Sequence, residues 1–247
     1  MAKGERADKI LVANGLASNR TKARALIMSG NVFSGEKRIE KAGTLLSPDT
    51  PIDIKGKDHP FVSRGGIKLS HAIKYFGIKP KGQICLDIGS STGGFVDVLL
   101  RNNAKKVFSV DVGKGQLAWS LRIDERVEVL EGFNARYLTS DLIPNAVNII
   151  SCDVSFIGLE KILPPALGLA AKGCNLIALI KPQFQVQRSE VGKGGVVRDS
   201  QIHERVCMEI KEWVNSQMNW QVLGITESPI TGPKGNKEFF LAAFFSK

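Results

Sequence analysis

The run Cys85-Leu86-Asp87-Ile88-Gly89-Ser90-Ser91-Thr92-Gly93-Gly94-Phe95 reads as strand, glycine-rich turn, helix. Glycines let a backbone approach a bound ligand, and the first turn of a helix offers unpaired amides. The run has neither the Lys of a phosphate-cradling loop nor the spacing of a dinucleotide fingerprint. Asp111 closes the next apolar stretch, Val107-Phe108-Ser109-Val110, where a carboxylate can accept from both hydroxyls of a ribose. This neutral-to-acidic surface suits a nucleoside bearing a cationic sulfonium better than a polyphosphate. Asp153 follows the apolar run 148–152, and Lys181 follows 176–180 and precedes Pro182. Both fall at the carboxyl ends of expected strands, where open α/β sheets bind ligands. A lysine there can serve as a base when burial or a cationic neighbour lowers its pKa. Lys68 and Glu238, each taken singly, read as surface charges.

Those residues need a scaffold that delivers strand ends to one edge. From Gly82 onward, expected strands at 83–88, 106–112, 127–130, 148–152, 175–180, 220–225 and 239–245 alternate with helical stretches, which argues for a doubly wound α/β sheet. Only residues 228–238 separate the last two strands, too few for a helical crossover, so they are expected to pair antiparallel. The stretch 182–199 is long, poor in apolar residues and carries Arg188, Lys193 and Arg198; it reads as a lid or substrate clamp, or as a surface excursion.

The first quarter of the chain differs. Helices are expected at 6–15 and 20–28, the second capped by Ser18 or Asn19 and ended by Gly30. A turn at Ser34-Gly35 within 31–39 and short strands at 45–46 and 52–54 complete a small α+β module. A polar segment, 55–60, reads as a linker, giving expected domains of 1–58 and 59–247. Arg6, Lys9, Arg20, Lys22, Arg24, Lys37 and Arg38 could present one phosphate-facing surface, with Arg20 and Arg24 neighbours on a helix face; a solvated helix face is the plainer alternative.

The 247 residues are 43% hydrophobic, enough for one substantial core plus a satellite domain. The net charge of +10 favours polyanionic partners, nucleic acid or anionic membrane. Residues 1–60 hold 11 Lys/Arg against 7 Asp/Glu, a disproportionate share of that excess. Cys85, Cys152, Cys174 and Cys207 show no metal-type spacing and read as buried thiols of a reducing compartment; no metal is expected. The start, MAKGERADKI, has no signal-peptide apolar segment, and no apolar run approaches the roughly 20 residues that span a bilayer. The expectation is a soluble cytoplasmic protein.

Five segments together carry a family resemblance: Arg6-Ala7-Asp8-Lys9 with Ser18-Asn19-Arg20-Thr21-Lys22-Ala23-Arg24-Ala25-Leu26-Ile27; Val62-Ser63-Arg64-Gly65-Gly66-Ile67-Lys68-Leu69; Asp87 to Phe95; Cys152-Asp153-Val154-Ser155-Phe156-Ile157; and Ile180-Lys181-Pro182-Gln183-Phe184. Over nearly its whole length the chain resembles the TlyA family, known both as hemolysins and as ribosomal-RNA 2′-O-methyltransferases. The first module resembles the RNA-binding domain of the ribosomal-protein S-four type, and the second the FtsJ-like methyltransferases with their Rossmann-like sheet. The resemblance implies a catalytic tetrad at Lys68, Asp153, Lys181 and Glu238. It implies S-adenosylmethionine held by Asp87, Gly89, Ser90, Ser91, Thr92, Gly93, Gly94, Phe95 and Asp111. It also implies ribosomal RNA or ribosomal subunits as partner and methylation of a cytidine ribose; Arg6, Arg20, Lys22, Arg24 and Arg64 are the residues expected to meet that RNA. Ser90 departs from the Ala of many members, and Val96 and Asp97 from their commonest residues. Two other readings stand beside this one: a membrane-active hemolysin, and an RNA-binding factor without catalysis. A pseudouridine synthase would share the first module but not the glycine-rich loop followed by an acidic strand end.

Overall fold

The computed structural model describes residues 4–54 and 59–246. It divides into two compact units, residues 1–60 and 61–247. Of the expected linker, residues 55–58 lie outside the described residues.

In the first unit, β1 (Glu5–Arg6) leads into α1 (Ala7–Ala13), followed by α2 (Arg20–Met28), β2 (Val32–Ser34), β3 (Lys37–Arg38), β4 (Leu45–Leu46) and β5 (Asp53–Ile54). Asn19, one of the two expected caps, accepts the Lys22 amide at 2.9 Å and starts α2. The chain leaves α2 through Gly30 at φ +75°, a left-handed conformation that glycine adopts without a Cβ penalty. β2 pairs antiparallel with β3 and β5, and β1 with β4. Ala7, Ile10, Leu11, Ala23, Ile27, Val32, Ile39 and Ile52 form its core.

The second unit is the expected α/β fold. Its elements are α3 (Gly65–Phe76), β6 (Ile84–Ile88), α4 (Gly94–Arg101), β7 (Lys106–Asp111), α5 (Trp119–Arg122), β8 (Val127–Glu131), β9 (Val147–Cys152), α6 (Leu159–Leu167), β10 (Ala170–Ile180), α7 (Ser200–Ser216), β11 (Trp220–Glu227) and β12 (Phe239–Phe245). The seven strands lie in the order β11-β12-β10-β9-β6-β7-β8. The five from β6 to β10 run parallel, and β12 inserts antiparallel between β10 and β11, as the short connection required. β10 begins five residues before the expected strand, with an irregular register between Ala170 and Asn175; Lys172 and Gly173, the latter at φ +80°, break the apolar pattern that marks its start.

Alternation along the strands feeds two cores. Leu86, Ile88, Phe108, Val110, Ile150 and Cys152 join residues of α6 and α7 on one face. Cys85, Val107, Ile149, Ile177 and Phe240 join residues of α3 and α4 on the other. Strands covered on both faces read as nearly continuous apolar runs, and this is why they were conspicuous in the sequence. From β6 the chain winds through β7 to β8 and then returns to β9 on the opposite side of β6. That reversal opens a crevice beyond the carboxyl ends of β6 and β9.

Candidate active site

Strand register brings the chemistry-bearing residues together. Cys152 pairs with Ile88, so Asp153 emerges beside Gly89. The Asp153 amide donates to the Ile88 carbonyl at 2.9 Å, and a Cβ on Gly89 would press against the Asp153 carbonyl. Ile180 pairs with Phe239 across the antiparallel β10–β12 ladder. Lys181, just after β10, and Glu238, just before β12, therefore meet at the same edge of the sheet.

Two ion pairs result, the first buried and the second partly so. Lys68 Nζ donates to Glu238 Oε2 at 2.5 Å, with side-chain exposures of 10% and 0%. Lys181 Nζ lies 2.5 Å from Asp153 Oδ1 and donates to Ser155 Oγ at 3.1 Å. The Lys181–Asp153 approach is a close ion pair off the hydrogen-bond direction, since that oxygen accepts no aligned hydrogen bond. Glu238 Oε1 also has no hydrogen-bond partner among the described residues. The glycine at 232 is required by this carboxylate, because a Cβ there would collide with Glu238 Oε1.

Lys68 reaches the site from α3 through close helix packing. A Cβ on Gly94 would strike Ser63 Oγ and the Gly66 amide, so the first turn of α4 seats α3 backbone to backbone. Asp97 fixes the approach to α3: its Oδ2 accepts the Val62 amide at 2.9 Å, while its Oδ1 accepts Arg101 Nε at 2.7 Å. Position 97, singled out in the sequence only as a departure, thus helps place Lys68.

Beside the ion pairs lies a cavity of about 480 Å³ lined by Gly89, Ser91, Asp111, Gln116, Asn134 and Asp153 among others. Its size is that of a small-molecule site. Asp111 accepts the Ser91 amide through Oδ2 and the Gly113 amide through Oδ1, both at 2.7 Å; each oxygen keeps a second lone pair for a ligand hydroxyl. Arg136 is the one cationic side chain among the lining residues, against Asp111 and Asp153.

Asp87, Ser90, Thr92, Gly93, Gly94 and Phe95 do not line this cavity. Phe95 packs in the core against Phe240, and Gly94 serves the α3–α4 contact. Asp87 is fully buried on β6, flanked across the sheet by Ser109 and Ser151. Ser151 Oγ donates to its Oδ1 at 2.6 Å, and Oδ2 has no partner among the described residues. Burial pushes the Asp87 carboxyl up to about 7, against the Ser151 hydrogen bond that favours the anion.

Several residues escaped sequence reasoning. Ser155 touches Lys181. Phe156 sits at φ +66° and is 89% exposed, with its ring 4.8 Å from that of Phe184. A bulky residue held left-handed and left in water is a strained arrangement characteristic of functional loops. An aromatic three residues after a strand-end aspartate was the available signal. Asn236, 3% exposed, clamps the 182–199 stretch: Oδ1 accepts the Val197 amide at 3.1 Å and Nδ2 donates to the Gly195 carbonyl at 3.0 Å. That stretch also contains two 3-10 turns, Pro182–Phe184 and Arg188–Glu190, the second closed by a Gln187/Glu190 capping box. Its order bears on the lid reading, because the same loop that carries Asn236 carries Glu238.

Of the expected RNA-contacting residues, Arg20, Lys22 and Arg24 are exposed on α2 and Arg6 is half-buried. Arg64 is exposed at the start of α3 and donates to the Thr231 carbonyl at 3.2 Å. All four cysteines are buried thiols. Among the described residues no group of three His, Cys, Asp or Glu is placed to hold a metal, and no helix is long and apolar enough to cross a membrane.

Comparison with known proteins matches residues 61–245 to the FtsJ-like methyltransferase family and residues 5–52 to the S4 domain. The chain is 46% identical to YqxC of Bacillus subtilis, which is named for rRNA methyltransferase activity, over 97% of this chain and 85% of that one. It is 42% identical to the 16S/23S rRNA (cytidine-2′-O)-methyltransferase TlyA of Mycobacterium tuberculosis, over 98% and 90% of the two chains. A solved structure of a hemolysin-named protein from Streptococcus thermophilus superimposes with a TM-score of 0.76 at 38% identity, covering all of this chain and 90% of that one.

Proposed function

This chain belongs to the FtsJ-like methyltransferase family, and we propose that it uses S-adenosylmethionine to methylate a cytidine ribose 2′-hydroxyl of ribosomal RNA. The observation that carries this reading is the convergence of the Lys68–Glu238 and Lys181–Asp153 pairs beside a nucleoside-sized cavity. The residues fit such a cofactor. Asp111 offers lone pairs to ribose hydroxyls, and the lining lacks the cationic cradle of a polyphosphate site. Asp87, buried with an orphaned oxygen one residue before Ile88, would gain from a cation brought to the loop. When bound, S-adenosylmethionine supplies a methyl group already activated by its sulfonium.

The chain's own task is then alignment and proton handling. Asp153 and Ser155 hold the Lys181 amine at the strand edge. Lys181 gives up the proton of its ion pair to solvent as the RNA binds, and its amine then takes the 2′-hydroxyl proton as that oxygen accepts the methyl group. Glu238 fixes Lys68 next to it, and that pair sets the local field. Phe156, exposed beside Asp153, offers a face on which the target base can stack. Arg6, Arg20, Lys22, Arg24 and Arg64 contact phosphates and give binding that weakens steeply with salt. The hemolysin name borne by some relatives finds no membrane-spanning helix among the described residues.

Lys181→Ala tests the assignment. Methyl transfer to ribosomal RNA should fall on the order of 10²-fold or more, while calorimetric binding of S-adenosylmethionine stays within about twofold. Near-normal transfer by this variant would reject Lys181 as the reacting base.

A further inference from the structure

Arg6 and Arg20, fourteen positions apart in the sequence, converge on one carboxylate in the first unit. Arg6 Nε donates to Asp8 Oδ1 at 3.0 Å and Arg6 Nη2 to Oδ2 at 3.1 Å. Arg20 Nη2 donates to the same Oδ2 at 3.1 Å. Asp8 has no exposed side-chain surface, whereas the arginine side chains are 43% and 56% exposed. The hydrogen bonds from Arg6 first, and those from Arg20 after them, hold the Asp8 carboxyl down at about 2, so it is an anion at any physiological pH. Its position is fixed by backbone as well, since the Ala7 and Asp8 amides donate to the Thr44 and Ala42 carbonyls at 2.8 and 3.1 Å. A Cβ added at Gly43, on that same segment, would meet the Arg6 guanidinium at 3.4 Å.

Two guanidinium groups sharing one oxygen would repel each other without the anion between them. The three hydrogen bonds leave most of each guanidinium's N–H donors unspent. The geometry is that of a preset pair of forks, ready for the oxygens of a phosphodiester.

We propose that Asp8 is a positioning residue for RNA, a buried anion that strengthens the binding of a polyanion by ordering Arg6 and Arg20 before the RNA arrives. This rests on the reading that the first unit binds RNA. The inference has an unusual sign: removing a negative charge from a basic surface should weaken RNA binding. Simple field arguments give the opposite result. Freeing two long side chains that must be re-ordered on binding should cost about tenfold in affinity.

The test uses the full-length chain and labelled, unmodified ribosomal RNA, at fixed salt, in a four-member cycle: wild type, Asp8→Asn, Arg6→Ala/Arg20→Ala, and all three substitutions together. Binding of S-adenosylmethionine serves as the control for the second unit. The expected result is about tenfold weaker binding for Asp8→Asn alone and no further loss when it is added to the arginine variant. Binding equal to or tighter than wild type would overturn the inference. So would an equal loss in both backgrounds, which would mean that Asp8 supports the fold of the unit and not the two arginines. If Arg6→Ala/Arg20→Ala itself binds RNA as wild type does, the failure lies with the RNA-binding reading of the first unit.

Discussion

Asp8 in the first unit and Asp87 in the second are both carboxylates without exposed surface, and they differ in what faces them. Asp8 has two guanidinium groups and is held near 2. Asp87 has a serine hydroxyl on one oxygen, no hydrogen-bond partner among the described residues on the other, and is pushed up to about 7 by burial. A buried anion is stable where cations and hydrogen bonds replace water, and is otherwise driven to take up a proton. The compensated carboxylate organises a surface in advance of its ligand. The uncompensated one lies under the loop where the proposed cofactor would bring a positive charge. Glu238 falls between them, with one oxygen on Lys68 and the other unpartnered.

The harshest way to break this contrast is to strip a compensated anion of its cation. Lys68→Met leaves Glu238 buried and unpaired and should cost about 3–5 kcal/mol in denaturant unfolding. Adding Glu238→Gln should return much of it. A Lys68→Met loss no larger than that of a surface substitution would show that this unit tolerates buried anions without cations.

Asp87→Asn should act in the opposite direction, stabilising the protein without ligand by about 2 kcal/mol at pH 8 and weakening S-adenosylmethionine binding. The pH dependence follows from the sign of the shift. The folded pKa lies above the unfolded one, so the Asp87 contribution is fully present below about 3.8 and is lost as pH rises through about 7. Thermal unfolding of wild type against Asp87→Asn across that window should show a gap that widens with pH. A constant gap would place the titration elsewhere.

The effect at Asp8 is smaller and runs the other way. Its folded pKa is depressed, so its stabilisation is present above about 3.8 and is lost as pH falls toward about 2. Acid titration followed by amide exchange in α1 should show loosening in that interval, and Asp8→Asn should remove the transition. The finest measurement is of protons. Calorimetry of cofactor binding at pH 7 in buffers of different ionisation enthalpy should show fractional proton release, absent in Asp87→Asn.

What the sequence disclosed and what it hid follow from chain separation. Asp153 and Lys181 were legible because each ends an apolar run that must be a covered strand. Lys68 and Glu238 were not legible from residue type alone, because they meet only after β12 inserts antiparallel beside β10 and α3 packs on α4 through Gly94. Family resemblance grouped them before the physics could. The arginines of the first unit stood out by charge, whereas nothing in the residue type of Asp8 set it apart. Its burial depends on the 42–44 segment folding back onto α1. Gly94 and Phe95 looked like parts of a ligand loop, yet their contacts are with α3 and the core. Asn236 gave no signal, since its two partners lie some forty positions away.

Ribose methylation by the second unit, as proposed, can be measured by incubating the full-length chain with unmodified ribosomal RNA and methyl-labelled S-adenosylmethionine, then mapping the label by nuclease digestion and mass spectrometry. Label is expected on the 2′-oxygen of cytidine with wild type and none above background with Lys181→Ala. Label on a base, or wild-type labelling by the Lys181 variant, would contradict the proposal.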